Sequence, residues 1–329
     1  MRVLMIGGTR FTGPETVRLL LEGGHEVTVF HRGVSQDPRT RGAGEILGEI
    51  KDLNLFRDRF LEIKPNVVLN MLCYTAQAAE DFVSLMKGLT RRVVVISSAD
   101  VYLAFGRLHR TEPGPLQPMP LTETSALRAT DLPGGPEYDK ISVERIVMGD
   151  PDLPATILRY PAVYGPNDPQ HRLYGYLKRF DDNRPAILLD EGVAGWRWSR
   201  GYADNAGLAT ALAVMDERSA GEIYNVAEPV AFTEADWVRM VGQAAGWEGE
   251  IVVVPKNQLP GHLGYDIDTS QHYVLDSTKI RRDLGFKEGV LHEEALAKTI
   301  AWERANPPEV IEPEKFDYEA EDRVLEGWR

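Results

Sequence analysis

Ile6-Gly7-Gly8-Thr9-Arg10-Phe11-Thr12-Gly13 stands directly after the apolar run Val3-Leu4-Met5-Ile6 and directly before a stretch carrying Val17, Leu19, Leu20 and Leu21. A short run that is apolar at every position is the pattern of a strand covered on both faces. Glycines between such a strand and a helix permit a tight turn. They also let backbone N–H groups approach a pyrophosphate at the positive end of the helix. A glycine motif carries little by itself, and a merely structural turn is its alternative. After a strand, before a helix and at the head of a βαβ unit, it becomes a dinucleotide-binding signal.

The alternation continues outward from this turn. Gly23-Gly24 closes the first helix, and the next strand is Glu26 to Phe30. Further runs at Asn66 to Leu72 and Arg92 to Ser97 are separated by amphipathic segments, Leu53 to Ile63 and Ala76 to Leu89. This rhythm predicts an α/β fold, a Rossmann-type doubly wound parallel sheet. Strand Ala155 to Leu158 and the stretch from Tyr202 through Val214 are expected to return to that sheet. Residues 1–166 are therefore read as a dinucleotide-binding domain with a return segment near 201–228. Residues 167–329 are read mainly as a smaller C-terminal substrate domain ending in an acidic tail. The last 23 residues hold eight acids against three bases, and Phe316, Tyr318 and Trp328 suggest that they dock. Between Tyr102 and Tyr138 the pattern breaks at Pro113, Pro115, Pro118, Pro120, Pro133 and Pro136, the composition of a functional loop.

Composition narrows the chemistry. At 329 residues, 43% apolar and 26% charged, the chain can bury a full core without disulfides or metals. Its one cysteine, Cys73, excludes a disulfide framework and a multi-cysteine zinc site, and the seven scattered histidines show no metal-ligand spacing. No metal is expected. The net charge of −13 opposes a whole-surface attraction to nucleic acid or anionic lipid. No apolar run is long enough to span a membrane, and Met1 leads almost directly into a strand, which leaves no room for a signal peptide. The expectation is a soluble, cytoplasmic protein.

The end of the second strand bears on the cofactor. An acid there would bind the adenosine ribose of NAD. Here the strand ends Phe30-His31-Arg32-Gly33. Arg32 offers a planar fork to a 2′-phosphate, and Arg10, in place of the motif's middle glycine, is within reach of the same group. Two arginines without an acid favour NADP, with NAD as the alternative; the plainer reading has both arginines stacked on adenine or facing water. Gly7, Gly8, Thr9, Phe11 and Gly13 supply the turn. Gly48-Glu49-Ile50-Lys51-Asp52 is read as the end of the third strand, with Glu49 and Ile50 assigned to the adenine, and Leu72, at the end of the fourth, is assigned to the cofactor site.

At this point the chain resembles an extended short-chain dehydrogenase/reductase of the NAD-dependent epimerase/dehydratase family. The likeness rests on the glycine turn, on Ser97-Ser98-Ala99-Asp100-Val101-Tyr102 and on Pro120-Leu121-Thr122-Glu123. It continues through Leu158-Arg159-Tyr160-Pro161-Ala162-Val163-Tyr164-Gly165-Pro166, Gly221 to Val226, and Asp276 to Lys279 with Leu284-Gly285-Phe286. The resemblance implies a Rossmann domain, a smaller substrate domain and a homodimer. It also implies catalysis by a serine that orients the substrate hydroxyl, a tyrosine that moves its proton, and a lysine that binds the nicotinamide ribose and lowers the tyrosine pKa. Ser98 matches the serine by its spacing to Val101-Tyr102, with a backbone cap as the alternative role.

Three departures follow. The family separates tyrosine and lysine by three residues, whereas Tyr138 and Lys140 are two apart and Glu144 lies at the acid position four beyond the lysine. At i, i+2 on a helix, side chains point roughly opposite ways. Bringing a phenol from about pKa 10 to near 7 takes roughly 4 kcal/mol. A lysine charge about 4 Å away supplies that at an effective dielectric near 20, and at twice the distance half of it. Tyr138 and Lys140 can therefore cooperate only if Tyr138 lies before the first helical turn, through an irregular entrance at Gly134-Gly135-Pro136. Tyr74 and Tyr102 are the reserve phenols. Second, Ala162 replaces an asparagine that contacts the sugar nucleotide in nucleotide-sugar members, while Arg197 matches their diphosphate arginine; Arg172, Arg197 and Arg200 are the candidate anion-binding side chains, with surface arginines paired to local acids as the alternative. Third, Ala99 replaces the acid of the dehydratase branch, and Asp100 beside it is read either as an acid or base or as a cap of the loop, which ranks dehydration below epimerisation and carbonyl reduction. The reading is an NAD(P)-dependent oxidoreductase or epimerase acting on a sugar-like or nucleotide-sugar substrate. Its rivals are a catalytically weak dinucleotide-binding sensor and an RNA-binding relative.

Overall fold

The computed structural model describes residues 1–129 and 137–328. Gly134, Gly135 and Pro136, the expected helix entrance, lie outside the described residues, as does Pro133. The first half alternates β1 (Arg2–Ile6), α1 (Gly13–Glu22), β2 (Glu26–His31), β3 (Gly44–Leu47), α2 (Arg57–Ile63), β4 (Val67–Asn70), α3 (Ala76–Met86) and β5 (Arg92–Ser98). Next come α4 (Leu103–Leu108), α5 (Lys140–Met148), β6 (Ala155–Tyr160), β7 (Ala162–Tyr164), α6 (Tyr174–Asp181), β8 (Ala186–Asp190) and α7 (Glu191–Gly195). The remainder is β9 (Arg200–Tyr202), α8 (Ala203–Met215), β10 (Ile223–Asn225), α9 (Glu234–Ala245), β11 (Glu250–Val254), α10 (Thr278–Leu284), α11 (His292–Ala305) and α12 (Tyr318–Glu326).

Seven strands form one parallel sheet in the order β10-β6-β5-β4-β1-β2-β3. The alternation read from the sequence becomes two cores, because successive side chains of a strand point to opposite faces. Val3 and Met5 pack with Val17 and Leu20 of α1 and the alanines of α8. Leu4 and Ile6 pack with Phe60 of α2, Phe82 of α3 and Val143 of α5. The winding reverses between β1 and β4, whose ends lie side by side as Ile6 and Asn70. In open parallel sheets the ligand crevice sits at that reversal, beyond the carboxyl ends of the strands.

The stretch from Tyr202 through Val214 comes back to the main sheet as a helix: β9 pairs with β7 in a separate two-stranded sheet, and α8 then covers the main sheet. The returning strand is the short β10, which pairs with β6. Gly48 to Asp52 does not end the third strand, which stops at Leu47. The other two-stranded sheet joins β8 to β11 and carries its own core with Trp237, Val241 and Leu296. The acidic tail docks through the expected aromatics, Phe316 against Tyr174 and Arg179, Tyr318 against Asp182 and Arg184, and Trp328 donating to Gln258 Oε1 at 3.1 Å, and through acidic and apolar residues of α12 as well. Glu321 and Leu325 of α12 are buried, Arg179 meets Glu321 at 2.7 Å, and Trp328 stays exposed.

Candidate active site

The glycine turn leaves β1 at the crevice. Gly7 and Gly8 take φ of +81° and +106°, a region open mainly to glycine. A Cβ on Gly13 would lie 2.3 Å from the Gly8 Cα, so the first turn of α1 sits directly against the loop. A Cβ on Gly7 would lie 2.8 Å from the side chain of Leu72, which thus walls the turn from the β4 side. Asn70 fixes that wall, its Oδ1 accepting from the Leu72 N–H at 2.9 Å. Thr9 and Ser35 share a hydroxyl hydrogen bond of 2.7 Å, tying the turn to the segment after β2. A cavity of about 380 Å³ opens there, lined by Thr9, Arg10, Phe11, Ser35, His171 and Trp302 among others. Arg10 and Arg32 are exposed, and neither joins an ion pair among the described residues. Glu49 and Ile50 lie exposed beside the end of β2, after Gly48 N–H donates to the His31 carbonyl at 3.0 Å.

The candidate catalytic side chains Ser98, Tyr138 and Lys140 gather with Asp100 at the end of β5. Tyr138 precedes α5 and is not part of it, and Lys140 is the first helical residue. Asp139 caps the helix, accepting from Ser142 N–H at 2.9 Å. The backbone before the cap is not helical, so the i, i+2 spacing leaves both side chains on the site side. Tyr138 Oη donates to Asp100 Oδ2 at 2.8 Å. Lys140 Nζ donates to the carbonyls of Cys73 at 2.7 Å and Ile96 at 2.9 Å. It lies 4.3 Å from the centre of the Tyr74 ring and 6.0 Å from that of Tyr138, and the two rings stack. The expected lowering of the tyrosine pKa by the lysine is not found: burial, reinforced by the Asp100 charge, holds the Tyr138 phenol well above its usual range. Burial also lowers the Lys140 ammonium to about 8. Ser98 both caps and lines: its Oγ accepts from Asp100 N–H at 3.3 Å, and it forms part of the cavity that Asp100 and Tyr138 face. Tyr102 is no reserve phenol, since it is buried, donates to Asn225 Oδ1 at 2.7 Å and lies under the Arg159 guanidinium.

That cavity holds about 440 Å³ and extends to Trp196, Trp198, Tyr265 and Tyr273. Of the three candidate arginines only Arg172 reaches its wall. Arg200 is buried and paired with Glu234, and Arg197 is exposed and donates to the Ala231 carbonyl at 2.9 Å. The role of Asp100 as partner of Tyr138 was only half legible in the sequence, which left it between acid–base work and capping the loop. Asn70 carried no readable signal, because its bond to Leu72 is a local consequence of the strand end. Among the described residues no three His, Cys, Asp or Glu side chains gather to hold a metal ion, and no helix is long and apolar enough to cross a membrane.

Comparison with known proteins places this geometry. The model of the NAD dependent epimerase/dehydratase family matches residues 3–227. A 2′-dehydrokanamycin reductase of Streptomyces kanamyceticus is 30% identical over 264 residues, covering 78% of this chain and 70% of that one. Among solved structures, UDP-glucose 4-epimerase of Thermotoga maritima, determined with UDP-glucose, aligns with a TM-score of 0.68 at 20% identity, over 94% of this chain and 100% of that one. The Bordetella bronchiseptica enzyme WbmG, determined with NAD, aligns with a TM-score of 0.69 at 20% identity, over 93% and 94% of the respective chains. At such identity the two structures speak to the fold alone.

Proposed function

The chain belongs to the NAD-dependent epimerase/dehydratase family, and from that membership we propose that it reduces a ketone on a sugar-like substrate, with NADP(H) as the hydride carrier. The observation that carries this reading is the Tyr138–Asp100 hydrogen bond at the wall of the 440 Å³ cavity. Ketone reduction needs a proton donor beside the carbonyl oxygen, and the Tyr138 hydroxyl stands at that wall with its proton directed at Asp100.

The residues present fit a dinucleotide: Gly7 and Gly8 take the positive φ of a tight turn, and Gly13 lets the first turn of α1 close against it, the loop and helix N-terminus that a pyrophosphate needs. Gly7, Gly8, Thr9, Phe11 and Gly13 would hold the pyrophosphate, Arg10 and Arg32 the 2′-phosphate, and Glu49, Ile50 and Leu72 the adenine side and the wall. Lys140 would hold the nicotinamide ribose. The bound reduced cofactor supplies hydride to the carbonyl carbon. Tyr138 gives its hydroxyl proton to the carbonyl oxygen, Ser98 orients that oxygen, and Asp100 holds the phenol in place. Cofactor binding is assigned to residues 1–166 with the return segment near 201–228, and substrate binding mainly to 167–329. The same reading takes the protein to be cytoplasmic, on its single buried cysteine, and a homodimer, on family likeness alone; sedimentation of the purified protein tests the latter.

Arg32→Ala is expected to weaken NADP(H) binding by roughly 10- to 100-fold, the worth of one charge-assisted contact. NAD(H) affinity should change less than about twofold. Nicotinamide fluorescence titrations measure both, and equal losses would refute the 2′-phosphate assignment. A second expectation concerns pH. The Lys140 pKa lies below its ordinary value, at about 8. If the ammonium form holds the ribose, cofactor affinity is full below that point and falls by up to about tenfold per unit above it. Titrations on both sides of pH 8 should show this fall in the native protein and not in Lys140→Met. A flat native profile would remove Lys140 from the cofactor site.

A further inference from the structure

The charge inside the 440 Å³ cavity bears on what it accepts. Among the described residues its only charged lining groups are Asp100 and Arg172, and His109, also in the wall, is held toward the neutral form by burial. Arg172 is already committed: its guanidinium meets Asp168, itself buried, at 2.7 Å and the Val163 carbonyl at 2.8 Å. A neighbouring cavity of about 250 Å³ shares Arg172 and Tyr265 with the first. Its basic side chains are committed too. Arg179 and His262 both contact the buried Glu321, and Lys315 pairs with Glu312. Among the described residues neither space offers an unpaired cation to a diphosphate, and stripping two negative charges of water without one is costly.

What the larger cavity does offer is an acceptor. Asp100 Oδ2 accepts the Tyr138 hydrogen bond, while Asp100 Oδ1 is buried with no hydrogen-bond partner among the described residues. A buried carboxylate oxygen left bare is expensive, and it is satisfied once a ligand donates to it. Around it stand Phe105, Trp196, Trp198, Tyr265 and Tyr273, with the rings of Trp196 and Trp198 stacked at 5.2 Å. Aromatic faces suit the C–H faces of a saturated ring and attract cations. Ala162 brings no amide to the same wall.

We infer that the substrate of this cavity carries no nucleoside diphosphate and donates to Asp100 Oδ1 through a hydroxyl or an ammonium group, its ring faces lying on the aromatic wall. This rests on the ketone-reducing reading above, and the two are separable by experiment. The protein is first saturated with NADP(H), and failure at that step refutes the cofactor reading alone. The loaded protein is then titrated by calorimetry with UDP-glucose, dTDP-glucose, maltose (hydroxyls only) and neamine (hydroxyls and amines). Binding of maltose or neamine at least tenfold tighter than either nucleotide sugar, and weakened at least tenfold by Asp100→Asn, is the expected result. A preference for neamine identifies the donor as ammonium, and equal affinities identify it as hydroxyl. Nucleotide sugars binding as tightly as the other probes, or no sugar binding to loaded protein, would overturn the inference.

Discussion

Tyr138→Phe is expected to lower kcat for ketone reduction by roughly 100- to 10,000-fold, the usual contribution of a positioned proton donor. The substitution is close to a pure deletion of the hydroxyl. Phenylalanine keeps the ring that stacks on Tyr74, so the entrance to α5 should keep its shape. What disappears is the donor to Asp100 Oδ2 and the proton destined for the carbonyl oxygen. Cofactor affinity should stay within about twofold, because Lys140 is anchored separately by the Cys73 and Ile96 carbonyls. Stopped-flow and steady-state assays with NADPH separate the two quantities. Near-native turnover would exclude Tyr138 as the donor and direct attention to Tyr74.

The second large effect lies one helical turn beyond Lys140. Glu144 is buried and receives hydrogen bonds from Ser97 Oγ at 2.6 Å and from Arg159 Nη2 at 2.6 Å. Arg159 is buried as well, with its guanidinium over the Tyr102 ring and Nη1 donating to the Glu123 carbonyl at 3.0 Å. Glu144→Ala would leave that cation in the interior without a counter-charge, which costs about 3–5 kcal/mol. For a fold with a total stability of about 5–15 kcal/mol, this is a large share. Urea denaturation should show the loss. The double variant Glu144→Leu/Arg159→Met should recover most of it, since a buried pair exchanged for apolar side chains of similar volume is often neutral. If the single variant melts like the native protein, the pair does not hold α5 to β5 and β6.

The sequence was most readable where a local pattern and a tertiary demand coincide. Val3 to Ile6 had to be buried on both faces, and the glycines after them had to approach a neighbour closely; both follow from residue types at fixed spacing. The Tyr202–Val214 stretch was harder. α8 is rich in alanine and buried on nearly all sides, so it lacks the amphipathic stripe that distinguishes a helix from an inner strand. The strand within the expected return segment, Ile223 to Asn225, is too short to stand out as one. In the site, Tyr138 ahead of the helix was legible because the i, i+2 spacing is impossible inside one. The fate of the arginines was not: Arg200 meets Glu234 and Arg172 meets Asp168 through folding, and nothing in a run such as Trp196-Arg197-Trp198-Ser199-Arg200 says which cation will be neutralised.

The order in which the chain visits its sheets has a consequence for biosynthesis. The growing polypeptide leaves the main sheet at Tyr160, lays down β7 to β9, comes back for α8 and β10, and only then makes β11, the partner of β8. Until Ile223–Asn225 leaves the ribosome, β6 presents a bare edge, and until α8 follows, the α1 side of the sheet lacks its cover. Bare parallel edges and uncovered apolar faces are the surfaces on which nascent chains stick to one another. A truncation near residue 166 should therefore depend on chaperones, and neither half can be released intact by a single cut.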